Sequence, residues 1–122
     1  MEKKTNESRV HFRNSLDRIS ERLAKTKSIR PGHIVFRLAG AEGGNYALEC
    51  AEGRVRVTES AAAGVDVVPL IEVIGDARRL RAILAGEKDA VEQFFAGGFR
   101  VRGDLRYLSD VAIELGLIKE PL

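Results

Sequence analysis

Tryptophan is absent from this chain of 122 residues, and cysteine and methionine occur once each. The single cysteine, Cys50, cannot form an intramolecular disulfide, so nothing calls for an oxidising compartment. There are only two histidines, His11 and His33, and neither has a His, Cys or acid at a ligand spacing such as HxxxH or CxxC. No metal centre or other cofactor is expected. No apolar run approaches the roughly 20 residues that span a bilayer. The N-terminus is charged from its second residue and lacks the apolar stretch of a secretory signal, and the C-terminal "IKEPL" is not a peroxisomal tripeptide. A cytoplasmic location is the expectation.

Catalytic signatures are missing as well. No serine sits in a G-x-S-x-G elbow, and the acids are scattered over charge-rich positions. Cys50 alternates with Tyr46 and Leu48, a pattern that turns its thiol inward, away from any base or electropositive setting. "AGAEGGN" (39–45) does not continue into GK[ST], and it lies between two strands rather than between a strand and a helix. "GGFRVRG" (97–103) follows a helix, the wrong context for a dinucleotide fingerprint. A non-enzymatic protein is the expectation.

Hydrophobic residues make up 44% and charged residues 31%, the balance of one globular domain with a core of its own. The charge is uneven. Residues 1–31 carry nine Lys/Arg against four Asp/Glu, whereas the remainder carries eleven against fourteen. The N-terminal part is thus the basic part. Residues 7–28 read as a helix, with Phe12, Leu16, Ile19 and Leu23 in one stripe and "RPG" (30–32) as its stop. This divides the chain into a basic amphipathic helix, 1–32, and a globular unit, 33–122.

From residue 33 the period changes to two. "HIVFRLA" (33–39), "YALEC" (46–50) and "RVRVTE" (54–59) alternate across short glycine-containing turns, which predicts an antiparallel meander with one buried face. "VDVVPLIEVIG" (65–75) reads as a longer strand whose Pro69 places it at an edge or at a bulge. Asp76 caps a helix that ends at Gly86, and a shorter helix holding Val91, Phe94 and Phe95 ends at Gly97 and Gly98. "FRVRG" (99–103) is a further strand, and Asp104 caps a last helix, 105–117. That helix is apolar over more than one face: Val111, Ile113, Leu117 and Ile118 widen the stripe of Leu105, Leu108, Ala112 and Leu115. Two readings fit: a central core helix, or one that packs on the sheet and also borders an apolar cavity.

Arg54, Arg56, Arg100 and Arg102 fall on the polar faces of two strands. The aromatics fall on the apolar stripes, so the stacking platform of a single-strand binder is missing, and no nucleic-acid partner is expected.

In this order the elements resemble the sterol carrier protein 2 (SCP-2) family over roughly residues 33–117. The resemblance rests on Asp66 in an acid-containing strand, Leu84-Ala85-Gly86 at a helix end, Phe94-Phe95-Ala96-Gly97, the alternating strand Phe99 to Arg102, and Gly103-Asp104 before a leucine-rich helix. It implies an α+β fold: a single five-stranded, mainly antiparallel sheet covered by helices, here with an extra charged N-terminal helix. It also implies an apolar tunnel that binds a sterol, fatty acyl chain or isoprenoid quinone without transforming it. The residues expected to line such a tunnel are Phe36, Leu48, Val57, Leu70, Leu80, Leu84, Phe94, Phe95, Leu108, Ala112 and Leu115. The other reading is an interaction module with a packed core and no ligand, forming a homodimer or binding another protein through the first helix. Under the lipid reading, that basic helix is expected to dock on anionic membranes.

Pockets that hold a lipid measure on the order of 300–500 Å³. Left empty, one would cost roughly 7–12 kcal/mol at about 24 cal/mol per Å³. That rivals the whole stability of a domain, about 5–15 kcal/mol. Such a chain either retains an apolar ligand or closes its last helix inward.

Overall fold

The computed structural model describes residues 2–40, 43–51, 53–59 and 67–121, with residues 2–11 as backbone. The connector 61–64, Asp66 and parts of the two glycine turns lie outside the described residues. The elements run α1 (Glu2–Leu23), β1 (Gly32–Ala39), β2 (Gly44–Ala51), β3 (Arg54–Glu59), β4 (Ile71–Asp76), α2 (Ala77–Leu84), α3 (Ala90–Phe95), β5 (Phe99–Gly103) and α4 (Leu105–Glu114).

Helix α1 begins at Glu2 rather than 7 and ends at Leu23 rather than 28. A tight turn stops it early. The Leu23 carbonyl accepts both the Thr26 N–H (3.0 Å) and the Thr26 hydroxyl (2.8 Å), and the Arg22 carbonyl accepts the Lys25 N–H (3.1 Å). The stop therefore comes from Thr26 folding back on the helix end, ahead of the "RPG" that the sequence suggests.

The five strands form one sheet in the order β3-β2-β1-β4-β5. The β1–β2, β2–β3 and β4–β5 pairs are antiparallel, and β1–β4 is parallel. Register follows the period-two pattern. One row across the sheet reads Glu59, Tyr46, Phe36, Val73, Val101, and the next inward row reads Val57, Leu48, Ile34, Ile71, Gly103. A slip of one residue would turn all of these outward, so the buried face holds the register.

Strand β4 departs from the sequence expectation. It starts at Ile71, after Pro69, and lies between β1 and β5 rather than at an edge. Proline lacks the N–H that a central ladder requires. The ladder instead opens at Leu70, whose N–H donates to the His33 carbonyl (2.8 Å) and whose carbonyl accepts the Asp104 N–H (2.9 Å).

Three aspartates start the later helices. The Asp76 carboxylate accepts the Arg79 N–H (3.1 Å), Asp89 accepts that of Val91 (2.9 Å), and Asp104 accepts that of Tyr107 (3.0 Å). Each satisfies an N–H that the first helical turn leaves unpaired.

Helices α1, α2 and α4 share one core with one face of the sheet. Phe12, Leu16, Ile19 and Leu23 of α1, Leu80 and Ile83 of α2, and Tyr107, Val111 and Leu115 of α4 are buried with Ile34, Phe36, Tyr46, Leu48, Ile71 and Val73. The ring of Phe12 packs edge-on to Phe36 (6.0 Å) and tilted against Tyr46 (5.0 Å). The apolar stripe of α1 is thus spent on the core. On the other face Val35 and Ala47 form a small separate cluster, and Arg54, Arg56, Arg100 and Arg102 are exposed.

Candidate functional site

Between α1, α2, α4 and the inner sheet face lies a cavity of about 100 Å³. Every side chain on its wall is a hydrocarbon. The floor is Ile34 and Phe36 from β1, Leu48 from β2 and Val73 from β4. Ile19 and Leu23 come from α1, and Leu80, Ile83 and Leu84 from α2, with Ala90 and Phe99 beside them. Leu108, Val111, Ala112 and Leu115 of α4, then Leu117 and Ile118 beyond it, complete the wall. The wide apolar pattern of α4 therefore serves both the sheet and a cavity, while Leu105 and Ile113 reach solvent, 44% and 37% exposed.

Seven of the residues singled out from sequence meet at this cavity: Phe36, Leu48, Leu80, Leu84, Leu108, Ala112 and Leu115. The structure places the other four elsewhere. Val57 and Leu70 pack on the rim of the core, Leu70 close beneath Gly32. Phe94 packs edge-on to Phe95 (5.6 Å) and tilted against Phe99 (5.5 Å), and Phe95 is 75% exposed. The cause is α3, a helix with no buried residue, whose apolar pair lies beside the core rather than in it. Ile19 and Leu23 escape the sequence reading because it sets α1 apart from the globular unit, although their stripe is plain. Ile34 and Val73 are equally readable from strand parity.

The cavity is smaller than the lipid-sized space the resemblance implies. At about 24 cal/mol per Å³ its vacancy costs roughly 2 kcal/mol, which a domain can carry.

No charged group faces this space. Burial pushes the Cys50 thiol up to about 11 and leaves it inert at neutral pH. The hydroxyl of Tyr107, a buried core residue, is also held above its usual value by burial. No buried side-chain polar atom among the described residues lacks a hydrogen-bond partner, and no group of His, Cys, Asp and Glu among them is arranged to hold a metal ion. No helix among the described residues is long and apolar enough to cross a membrane.

Polar contacts gather instead where the chain after α1 meets α4. Arg30 pairs with Asp104 (2.7 Å) and lies over the Tyr107 ring, Ser28 donates its N–H to Glu114 (3.0 Å), and Arg22 donates to the Leu115 carbonyl. These contacts pin α4 at both ends.

No family model and no curated protein matches the chain. Solved structures do. The palmitated SCP2-L2 of Aedes aegypti aligns with a TM-score of 0.62 at 13% identity, over 88% of this chain and 95% of that one. The UbiJ-SCP2 ubiquinone synthesis protein aligns with a TM-score of 0.56 at 17% identity, over 79% of this chain and 85% of that one. The inverting sec-alkylsulfatase Pisa1 from Pseudomonas sp. aligns with a TM-score of 0.55 at 16% identity, over 71% of this chain but 13% of the enzyme. The fold is that of the sterol carrier protein 2 domains: α+β, with a five-stranded, mostly antiparallel sheet and helices packed on its inner face.

Proposed function

We propose that this protein binds the hydrocarbon part of a lipid and holds it without transforming it. One observation supports this above others: the cavity under α4 is walled by hydrocarbon side chains alone. Such a wall offers an alkyl or isoprenoid chain about 25 cal/mol per Å² of buried area and gives a reacting group nothing to hold it. The fold adds weight, because it is shared with a structure described as palmitated and with a ubiquinone synthesis protein. The sulfatase likeness covers a small part of that enzyme and brings no catalytic group to this cavity.

Binding expands the cavity. At about 100 Å³ it accommodates a fragment of a chain, so the residues after α4 move outward around a whole ligand. Contact with anionic membranes through α1 rests on its charged outer side, with Arg18 exposed on the helix and Lys25 exposed in the turn after it, since its apolar stripe is buried. Vesicle sedimentation that ignores anionic lipid content would remove that role.

Native mass spectrometry of gently purified protein, with thermal shift on adding palmitic acid or a short-chain quinone, tests the main reading. A retained lipid mass or a rise in melting temperature is expected. A clean apo mass together with no shift for either compound overturns it.

A further inference from the structure

A second hollow, an open groove of about 660 Å³, lies between the α2–α3 turn (residues 86–89) and the segment after α4 (116–121). Ile83, Leu117 and Ile118 wall this groove and wall the cavity too. Three hydrocarbon side chains thus border both the hydrocarbon-walled cavity and the groove lined with charges. Ile83 is fixed within α2, whereas Leu117 and Ile118 follow the helix end at Gly116. Their N–H groups both donate to one acceptor, the Ala112 carbonyl, at 2.9 and 3.4 Å. Among the described residues, Lys119, Glu120 and Pro121 make no backbone hydrogen bond. Few bonds hold the movable side of this partition, and segments so held open locally at low cost.

The chemistry of the two hollows is complementary. The cavity offers no hydrogen-bond partner, so a polar head buried there would be left unpaired. It is also small: a space of about 150 Å³ holds the six carbons of benzene, so about 100 Å³ holds fewer. The groove has what the cavity lacks. It carries Lys88 and Lys119, the acids Glu87, Asp89 and Glu120, and apolar ground on Val91 and Phe95.

We propose that this groove is the doorway of the cavity and the seat of the ligand's polar end. A single-chain amphiphile passes its chain over Leu117 and Ile118 into the cavity and leaves its head group among the charges of residues 87–89 and 119–120. With both signs present, a head of either charge finds partners there. This inference rests on the reading of the cavity as a lipid site.

Photo-crosslinking of the unaltered protein separates the two ideas. Two palmitic acid probes are used, one with a diazirine at the chain end and one with it beside the carboxylate, and labelled peptides are mapped by mass spectrometry. The chain-end probe is expected on residues 80–84 and 108–115, and the head-end probe on 86–91 and 117–121. If the chain end labels the cavity while the head end labels other surfaces, the doorway is wrong and the lipid site stands. If neither probe labels the cavity, both readings fall. In addition, Ile118→Ala is expected to speed both uptake and release of a fluorescent fatty acid several-fold, and unchanged exchange rates overturn the doorway.

Discussion

Arg30 and Asp104 meet at 2.7 Å, joining the loop after the first helix to the cap of the last. The same guanidinium lies 4.4 Å from the centre of the Tyr107 ring, and the Arg30 N–H donates to the Tyr107 hydroxyl (3.2 Å). The Tyr107 N–H and then Arg30 hold the Asp104 carboxyl below its ordinary 3.8, and the Ser28 N–H holds Glu114 below 4.5. A carboxyl whose folded pKa is depressed adds stability above its unfolded value, and that stability is lost as pH falls through the folded value. Asp104→Asn and Glu114→Gln should therefore melt a few degrees below wild type at neutral pH. Both groups are exposed, so the gaps stay small. They should close on acidification below the ordinary values of 3.8 and 4.5. Melts over a pH series check this, and gaps that do not change with pH would refute the assignment.

Ala112 sits on the cavity wall, and its side chain is the smallest that α4 contributes. Replacing it with leucine fills the space. Ala112→Leu should leave stability unchanged or raise it by about 1 kcal/mol, because the vacancy costs roughly 2 kcal/mol. Lipid uptake should fall at least several-fold. A large loss of stability would mean that the space is too tight for the added carbons. Denaturant titration beside a fatty-acid binding isotherm reads both effects.

Two glycines in "FFAGGFRVRGD" make a contrasting pair. Gly97 ends α3 at a φ of +78°, and a methyl added there would meet nothing within 4 Å, so Gly97→Ala costs only the left-handed backbone penalty, about 1–2 kcal/mol. Gly103 has a φ of +106°, and a methyl there would sit on the Leu70 carbonyl oxygen, the acceptor of the Asp104 N–H. Gly103→Ala should cost about 3 kcal/mol or more, since strain and a broken strand-to-helix junction add together. Equal costs for the two would sink the argument.

Cys50 is buried on the inner face, with its thiol pushed up to about 11. Labelling by iodoacetamide at pH 8 should be slow in the folded protein and fast in denaturant. A native thiol that reacts like a free one would mean that the site opens readily.

Much of this architecture is written locally. Asp76 and Asp104 announce their helices because a carboxylate at that position pairs an otherwise orphaned N–H, an interaction spanning three residues, and Asp89, passed over in the sequence, does the same across two. The alternation in β1 to β3 shows which side chains turn inward, so Phe36 and Leu48 are readable as inward-facing. Depth is not local. Val57 has the parity of Leu48, yet it lies on the edge strand β3, and strand order decides which inward residues reach the middle. Phe94 and Phe95 stand off the cavity wall for the same reason, since hydrophobicity alone does not say that α3 buries none of its residues. Pro69 points to an edge only if one residue speaks for the whole strand, whereas the ladder begins just beyond it.

The strand order has a consequence for how the chain is made. β1 is the first strand to emerge and ends up at the middle of the sheet. Its partner on one side, β2, follows at once, but its partner on the other, β4, begins only at Ile71. A ribosome adds roughly 5–20 residues per second, so for some seconds the meander of β1 to β3 stands with the later centre of the sheet as an open edge. That edge carries Ile34, Val35 and Phe36 in a row, the kind of unpaired apolar strand that recruits other chains. A product cut short before residue 71 keeps this edge for good. Residues 71–76 thus act, within the chain itself, as the piece that ends its stickiness.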